Sequence, residues 1–185
     1  MGSAADTLPA AGSAELAARA AALGRAIAAR RAVLLTGATT GIPYIVGCAA
    51  RAAGAFHVGI SPAADEREHT SNYGLPLDAC DVIIYTGFGL KGRNVVLVRS
   101  CEIAIFIGGS IGSLNEFTIA YDEGRIIGCL TGTGGVADQA VSLLRLFPKK
   151  TTSRVLAASD PDELLDLCLQ AHRAQNDEKQ GNRRP

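Results

Sequence analysis

Apolar residues recur along the chain in two patterns, one with helical spacing and one of short uninterrupted runs. Helical spacing predicts a first helix from Ser13, a candidate N-cap, to about Arg30. It also predicts a helix over "YIVGCAARAAG", which ends at Gly54, and another over residues 93–100. A further helix ends at about Asp122, shortly before Gly124, and the next one covers "ADQAVSLLRLF". A final helix begins after Asp160, with Pro161 in its first turn.

The uninterrupted apolar runs predict strands. They are "AVLLTG", "FHVGIS", "DVIIYTG", residues 103–107, "RIIGCL" and "RVLAAS". Strands that are apolar along their whole length are buried on both faces, and here they alternate with helices. We therefore predict an α/β protein with a three-layer Rossmann-like fold, in which a mostly parallel sheet carries helices on both faces.

The distribution of apolar and polar residues also suggests where the domain begins and ends. We expect a flexible leader at residues 1–12, a single Rossmann-like domain at 13–173 and a flexible tail at 174–185, because residues after His172 are polar. The polar run at residues 62–80 predicts a long surface excursion, which in compact domains is usually functional or mobile.

The composition limits the classes of binding partner that we expect for this chain. Lys plus Arg and Asp plus Glu both total 18 of 185 residues, so no basic stripe suggests a nucleic-acid-binding surface. We expect a small-molecule ligand or further copies of the chain instead. Charged residues interrupt every apolar stretch of spanning length, including the alanine-rich start, which argues against a signal peptide and a membrane span.

The five cysteines show neither paired CxxC spacing nor neighbouring histidines. Neither a zinc site nor a disulfide framework is implied, so we expect no metal and interpret the cysteines as buried thiols of a cytoplasmic protein.

Four turns follow predicted strands and are rich in glycine. They lie at residues 37–41, 87–92, 108–113 and 131–135. Ligands of parallel sheets bind at the carboxyl ends of the strands, and glycine permits close approach of the backbone. These turns are the candidate binding surface.

The third turn, within "FIGGSIGSLNEF", allows three interpretations. It matches G-x-S-x-G, the nucleophile elbow of serine hydrolases, with Ser110 as nucleophile. The only histidine after Ser110 is His172. The elbow is therefore a remote alternative.

In the second interpretation, Ser113 and Glu116 form a capping box. In the third, the small residues before the helix leave its first amides open to a phosphate, which the helix dipole favours. Lys91 and Arg93 lie at the start of a predicted helix, where cations are unfavourable unless an anion is near. Two common nucleotide sites are absent from the sequence, because it has neither G-x-G-x-x-G after a strand nor GxxxxGK[ST].

The stretch "GRNVVLVRSCEIAIFIGGSIGSLNEF", followed by "GTGG", resembles the LOG-like (SLOG) superfamily of Rossmann-type nucleotide-binding proteins, once labelled lysine decarboxylases. In its cytokinin-activating members an arginine stands fifteen positions before a PGGxGTxxE motif, as Arg93 stands before Gly108. Three motif positions differ, at Gly108, Ser110 and Ser113. The chain is more similar to the branch that contains molybdenum-cofactor carrier proteins.

The resemblance implies a set of site residues. Arg93 and Glu116 would be catalytic in a phosphoribohydrolase, which hydrolyses the N-glycosidic bond of a nucleoside 5′-monophosphate. The remaining residues would bind phosphate and ligand: Thr39, Thr40, Gly41, Gly108, Gly109, Ser110, Ile111, Gly112 and Ser113.

Two functions stay open. One is the phosphoribohydrolase, and the other is a non-catalytic carrier of molybdopterin, the molybdenum cofactor. Neither requires a further cofactor. The resemblance also implies a homodimer or higher homo-oligomer. One departure is that the family usually opens with a strand and a glycine-rich turn before the first helix, whereas "MGSAADTLPAAGSAE" has no such strand.

Overall fold

The computed structural model describes residues 1–2 and 13–181, and alternating helices and strands account for most of them. The helices are α1 (Ser13–Ala29), α2 (Ile42–Ala52), α3 (Gly89–Arg99), α4 (Ile111–Asp122), α5 (Gly135–Leu146) and α6 (Pro161–Gly181). The strands are β1 (Leu34–Thr36), β2 (His57–Ser61), β3 (Val82–Tyr85), β4 (Ile103–Ile107), β5 (Ile126–Leu130) and β6 (Arg154–Ala158). Each predicted helix and strand is present.

All strand pairs are parallel and form two three-stranded sheets, in the orders β1-β2-β3 and β4-β5-β6. Helices α1, α2 and α6 pack together on one side of the strands, while α3, α4 and α5 lie on the other. Alternate residues of β5 enter the two cores, since Ile126 belongs to the first and Ile127 to the second. The chain therefore has the predicted three-layer, Rossmann-like α/β fold.

The first two residues pair with β4. Gly2 forms a parallel bridge to Ile107, and the Met1 amino group donates to the Ile105 carbonyl at 2.7 Å. Met1 and Gly2 are thus held by hydrogen bonds, unlike the flexible leader that we expected there. The rest of that predicted leader, residues 3–12, lies outside the described residues.

The carboxyl-terminal helix is longer than predicted. Helix α6 continues to Gly181, although the polar residues after His172 suggested a flexible tail. Gln175 explains part of the difference, because it is buried and donates to the carbonyls of Gly124 (3.2 Å) and Thr152 (2.9 Å). Asp160 caps the other end of α6, where the Glu163 amide donates to its carboxylate at 2.9 Å.

Residues 62–80 form the predicted excursion and contain one π-helical turn, Glu68–Asn72. Buried His69 ties this segment to β2. Its Nε2 donates to the Pro76 carbonyl at 3.1 Å and its Nδ1 accepts from the Ser61 hydroxyl at 2.8 Å, a tautomer fixed by the carbonyl partner.

The five cysteines are free thiols, of which Cys80, Cys129 and Cys168 are buried. None of the helices within residues 13–181 is long and apolar enough to cross a membrane.

Candidate functional site

A cavity of about 150 Å³ opens at the carboxyl ends of β1 and β4, where the topology predicts a ligand site. Its walls come from the first two residues, the turn after β1, the first half of α3 and the start of α4. The lining residues are Met1, Gly2, Thr36, Gly37, Thr39, Pro43, Leu90, Lys91, Arg93, Asn94, Leu97, Ser110, Gly112, Ser113 and Glu116.

Helix α4 points its amino terminus at this cavity. Ser110 is the N-cap, in extended conformation and without a side-chain capping bond, and the helix begins at Ile111. The amides of Ile111, Gly112 and Ser113 are the first three of the helix, so they have no partner within it. Lower down, Phe117 packs edge-on against Phe106 of β4 with ring centroids 5.6 Å apart, which anchors the helix to the sheet.

The capping-box interpretation is therefore wrong. Ser113 and Glu116 match the pattern, but the helix begins two residues before Ser113. Both side chains lie inside the helix and are buried beside the cavity. Glu116 is thereby free to act on whatever the cavity holds.

The turn before α4 is braced by the "TGTGG" turn after β5. Thr133 accepts a hydrogen bond from the Gly108 amide at 2.8 Å and donates to the Leu130 carbonyl at 2.5 Å. The carbonyls of Gly108 and Gly109 in turn accept from the first turn of α5. Both glycines have positive φ, 62° and 109°, which side-chain-bearing residues rarely adopt. The Gly-Gly pair shapes the approach to α4, and its polar groups are engaged in holding that shape.

Arg93 and Glu116 face each other across the cavity as a loose buried pair. Arg93 Nη1 lies 3.8 Å from Glu116 Oε1, and the two residues are 6% and 7% exposed. The buried Arg93 Nε has no hydrogen-bond partner among the described residues. Five guanidinium donors facing one carboxylate at this distance leave capacity for a further anion.

Burial dominates the electrostatics of this pair. It lowers the pKa of Arg93, against the opposing pull of Glu116. It also raises the pKa of Glu116, while the Met1 ammonium, Arg93 and Lys91 act in the opposite direction. Desolvation thus disfavours the charged form of each residue.

Gly37 leaves room for the guanidinium. A Cβ at this position would lie 1.8 Å from Arg93 Nη1 and 2.6 Å from its Cζ. The turn after β1 must therefore carry a glycine here for Arg93 to reach the cavity.

Asn94 supports the carboxylate from the next position on α3. The buried Asn94 amide donates to Asn115 Oδ1 at 2.9 Å. With the amide reversed, its nitrogen instead donates to Glu116 Oε1 at 3.2 Å and to the Leu90 carbonyl at 3.1 Å.

Lys91 brings a second cation to the mouth of the cavity. Its Nζ lies 4.0 Å from the point that a Cβ on Gly112 would occupy, above the first turn of α4. A cation beside a helix amino terminus is repelled by the dipole, unless an anion lies between them. Arg93 is buried, whereas Lys91 is exposed.

The cavity brings together about half of the predicted site residues. Those that line it are Thr39, Arg93, Ser110, Gly112, Ser113 and Glu116. Thr40, Gly41, Gly108, Gly109 and Ile111 do not. Of these, Gly41 is the N-cap of α2, and Ile111 is exposed at 74%.

Thr36 and Asn94 line the cavity without having been predicted, and Gly37 was predicted only as part of the turn at residues 37–41. Asn94 carried a signal, since it follows Arg93 directly in the family-like stretch. Thr36 is oriented by His57, whose Nε2 accepts from the Thr36 hydroxyl at 2.9 Å while its Nδ1 donates to the Ala79 carbonyl at 2.6 Å. That relay joins three separate segments and leaves no local sequence pattern.

The serine-hydrolase alternative is wrong. None of the three histidines lines the cavity with Ser110. His57 and His69 are hydrogen-bonded to Thr36 and Ser61, respectively, and His172 accepts from Asn176 at 3.0 Å. Among the described residues, Ser110 therefore has no histidine as general base. The described residues also hold no group of three or more His, Cys, Asp or Glu side chains suited to a metal ion.

Comparison with known proteins identifies a matching family. Residues 1–165 match the family described as "LDcluster4: SLOG cluster4 family". An uncharacterized protein of Archaeoglobus fulgidus is 31% identical over 108 residues, which are 58% of this chain and 66% of that protein's length.

Two solved structures are similar over nearly the whole chain. The X-ray structure of TM1055, a structural genomics target, has a TM-score of 0.80 at 25% identity and covers 92% of this chain and 96% of its own. The molybdenum cofactor binding protein from the phototrophic bacterium Rippkaea orientalis has a TM-score of 0.69 at 25% identity, with 92% and 93% covered.

Proposed function

The chain belongs to the SLOG cluster4 family, and from this we propose that it binds a small phosphorylated ligand of nucleotide type, with the phosphate at the amino terminus of α4. One observation carries the proposal. Lys91, Arg93 and the first turn of α4 converge on a single cavity, and Glu116 is the only carboxylate among the described residues that line it.

Electrostatics favours an anion at this point. A helix amino terminus acts as about half a positive charge, and Lys91 and Arg93 add to it, while the Glu116 carboxylate offsets one of these two cations. A phosphate there would accept from the amides of Ile111, Gly112 and Ser113, while reaching Lys91 outside and Arg93 inside. Hydrogen bonds to charged groups contribute roughly 1.5–3 kcal/mol each.

The size of the cavity supports partial enclosure of the ligand. At about 150 Å³ it is smaller than the roughly 300–1,000 Å³ of sites that enclose a drug-sized molecule. It suits a phosphate with an adjoining sugar or ring, while the base or pterin would lie over the exposed Lys91 and Ile111. The similarity to a molybdenum cofactor binding protein makes a phosphorylated pterin the first ligand to test.

Hydrolysis is the second candidate, and Glu116 favours it. This carboxylate is buried, paired only loosely with Arg93, and lies one helical turn below the proposed phosphate. At that position it would stabilise positive charge on a ribose as the N-glycosidic bond breaks, or orient the attacking water. A carrier would need Glu116 only to balance Arg93.

Calorimetry with the purified protein tests binding. The panel comprises molybdopterin, the nucleoside 5′-monophosphates and the matching nucleosides without phosphate. We expect binding only of the phosphorylated compounds. We also expect Lys91→Met to weaken binding about two- to fivefold, in the range of one exposed ion pair. Lys150→Met is the control, because Lys150 is exposed and outside the cavity lining. Equal affinity for the dephosphorylated compounds would contradict the proposal.

Product analysis separates enzyme from carrier. Release of free base from a monophosphate, lost in Glu116→Gln while binding persists, would establish the hydrolase. Binding without release would indicate a non-catalytic binding protein, such as a molybdopterin carrier. The absence of a nucleic-acid partner, the homodimer and the cytoplasmic location stay predictions.

A further inference from the structure

Two large aliphatic side chains are exposed at the mouth of the cavity that holds Arg93. Leu90 lies in the first turn of α3, lines the cavity and is 50% exposed. Ile111 is the first residue of α4, stands between the lining residues Ser110 and Gly112, and is 74% exposed. We call Leu90 and Ile111 the apolar rim.

The packing of the fold does not explain why the apolar rim is exposed. Helices α3 and α4 lie side by side, and the position of Lys91 Nζ above Gly112 shows that their first turns are neighbours. Neither Leu90 nor Ile111 belongs to one of the two hydrophobic cores. A single exposed aliphatic side chain is ordinary, but two of them beside a cavity offer apolar surface that a ligand can cover.

The polarity of the cavity falls from its interior to its mouth. Arg93, Asn94 and Glu116 are buried in the lining, whereas both residues of the apolar rim are exposed. With its phosphate at the start of α4, a nucleotide-sized ligand is too large for a cavity of about 150 Å³. The end of the ligand that is remote from the phosphate therefore passes the rim.

The chemistry of the apolar rim limits what it can recognise. Leu90 and Ile111 have neither donor nor acceptor in their side chains, so they contact a ring only through its area. Lys91 offers donors alone, and the proposed phosphate engages them. Among the described lining residues, none belongs to the polar excursion at 62–80.

We propose that the apolar rim binds the flat face of a heteroaromatic ring, and that it selects the ring by contact area rather than by the hydrogen-bonding groups on its edge. This inference rests on the proposed function, because the bound phosphate determines where the ring lies. Burial of apolar surface is favourable roughly in proportion to its area. Rings of equal size then bind equally well, and larger rings bind more tightly than smaller ones.

Calorimetry with four phosphorylated compounds tests the proposal. Ribose 5-phosphate carries no base, and uridine 5′-monophosphate carries a small one. Adenosine and inosine 5′-monophosphates carry bases of nearly equal size, whose edges present different donors and acceptors. Each compound is titrated into the unmodified protein, Leu90→Ala and Ile111→Ala. The matched control is Val95→Ala, because Val95 is an exposed aliphatic residue of α3 outside the cavity lining.

We expect the adenosine and inosine compounds to bind within about fivefold of each other. Both should bind about tenfold or more tightly than ribose 5-phosphate, with the uridine compound between them. Leu90→Ala and Ile111→Ala should each lower the ratio of adenosine-compound affinity to ribose 5-phosphate affinity by about three- to fivefold. Val95→Ala should leave this ratio unchanged.

A larger difference between the adenosine and inosine compounds would overturn the proposal, because recognition of the ring edge discriminates strongly between such analogues. An affinity ratio that neither rim variant changes would do the same. Sedimentation of both variants then shows whether they dissociate a dimer, in which case a second copy covers the rim. Binding of ribose 5-phosphate without any gain from a base would contradict the rim alone, whereas failure of all four compounds to bind would contradict the proposed phosphate site as well.

Discussion

The close approach of Gly37 to Arg93 makes a steric prediction about binding. In Gly37→Ala the new methyl group would lie 1.8 Å from Arg93 Nη1, where an ordinary contact needs at least 3.4 Å. The guanidinium must therefore retreat by about 1.6 Å, the difference between these distances. Folding should survive this change, because the displaced atoms are the end of a flexible side chain.

The Gly37→Ala substitution should lower ligand affinity much more than it lowers the stability of the fold. Charge-assisted hydrogen bonds in proteins are about 2.7–2.9 Å long, and a displacement of this size breaks them. A lost hydrogen bond to a charged group costs roughly 1.5–3 kcal/mol, which corresponds to a loss of affinity of about 10- to 150-fold. Backbone contacts at the start of α4 are untouched by the substitution, so binding should weaken without disappearing.

Calorimetry with the phosphorylated compound that binds best measures this loss. The control is a double-mutant cycle with Arg93→Met, which removes the guanidinium and with it the clash. We expect Gly37→Ala to add little further loss in that background. If Gly37→Ala binds within twofold of the unmodified protein, or if its effect is undiminished in the Arg93→Met background, the steric argument is wrong.

Three further predictions concern residues around the site. Burial lowers the pKa of His57, so below about pH 6.5 the unfolded chain binds a proton that the folded chain does not. The free energy of unfolding should therefore fall as the pH is lowered below about 6.5, by up to about 1.4 kcal/mol per pH unit. Urea titration at several pH values measures this dependence, which should shrink in His57→Gln. Gln175→Leu leaves two carbonyls unpaired and should lower stability by about 1–3 kcal/mol, whereas Gln170→Leu on the exposed side of α6 should be nearly neutral. Thr133→Val removes the acceptor of the Gly108 amide and should weaken ligand binding, while Thr133→Ser should restore it; equal binding by both variants would contradict the bracing role.

Element order and fold class could be predicted from the sequence because periodicity reports burial residue by residue. The local sequence pattern did not predict the first residue of α4 correctly. "SLNE" satisfies the capping box, yet α4 begins at Ile111, since the positive φ angles of Gly108 and Gly109 end the preceding turn and place Ser110 at the N-cap. A pattern that fits two starting points cannot choose between them.

The site was predictable in part for a different reason. Arg93 and Glu116 lie on neighbouring helices, and their family-like spacing identified both. The burial of Arg93 could not be predicted, because it depends on the missing side chain of Gly37, which is distant in sequence. The role of Gln175 was hidden in the same way, since its partners at Gly124 and Thr152 belong to other segments.

The contact between the two glycine-rich turns constrains how this protein can be recombined. A Cβ on Gly135 would lie 2.1 Å from the Gly109 carbonyl oxygen, which itself accepts from the Val136 amide. The two turns therefore behave as one inherited unit, although a strand and a helix separate them in the chain. A chimaera that takes residues 108–113 from a relative should fold and bind only if residues 131–135 come from the same parent. A substitution in either turn is expected to require a compensating substitution in the other turn.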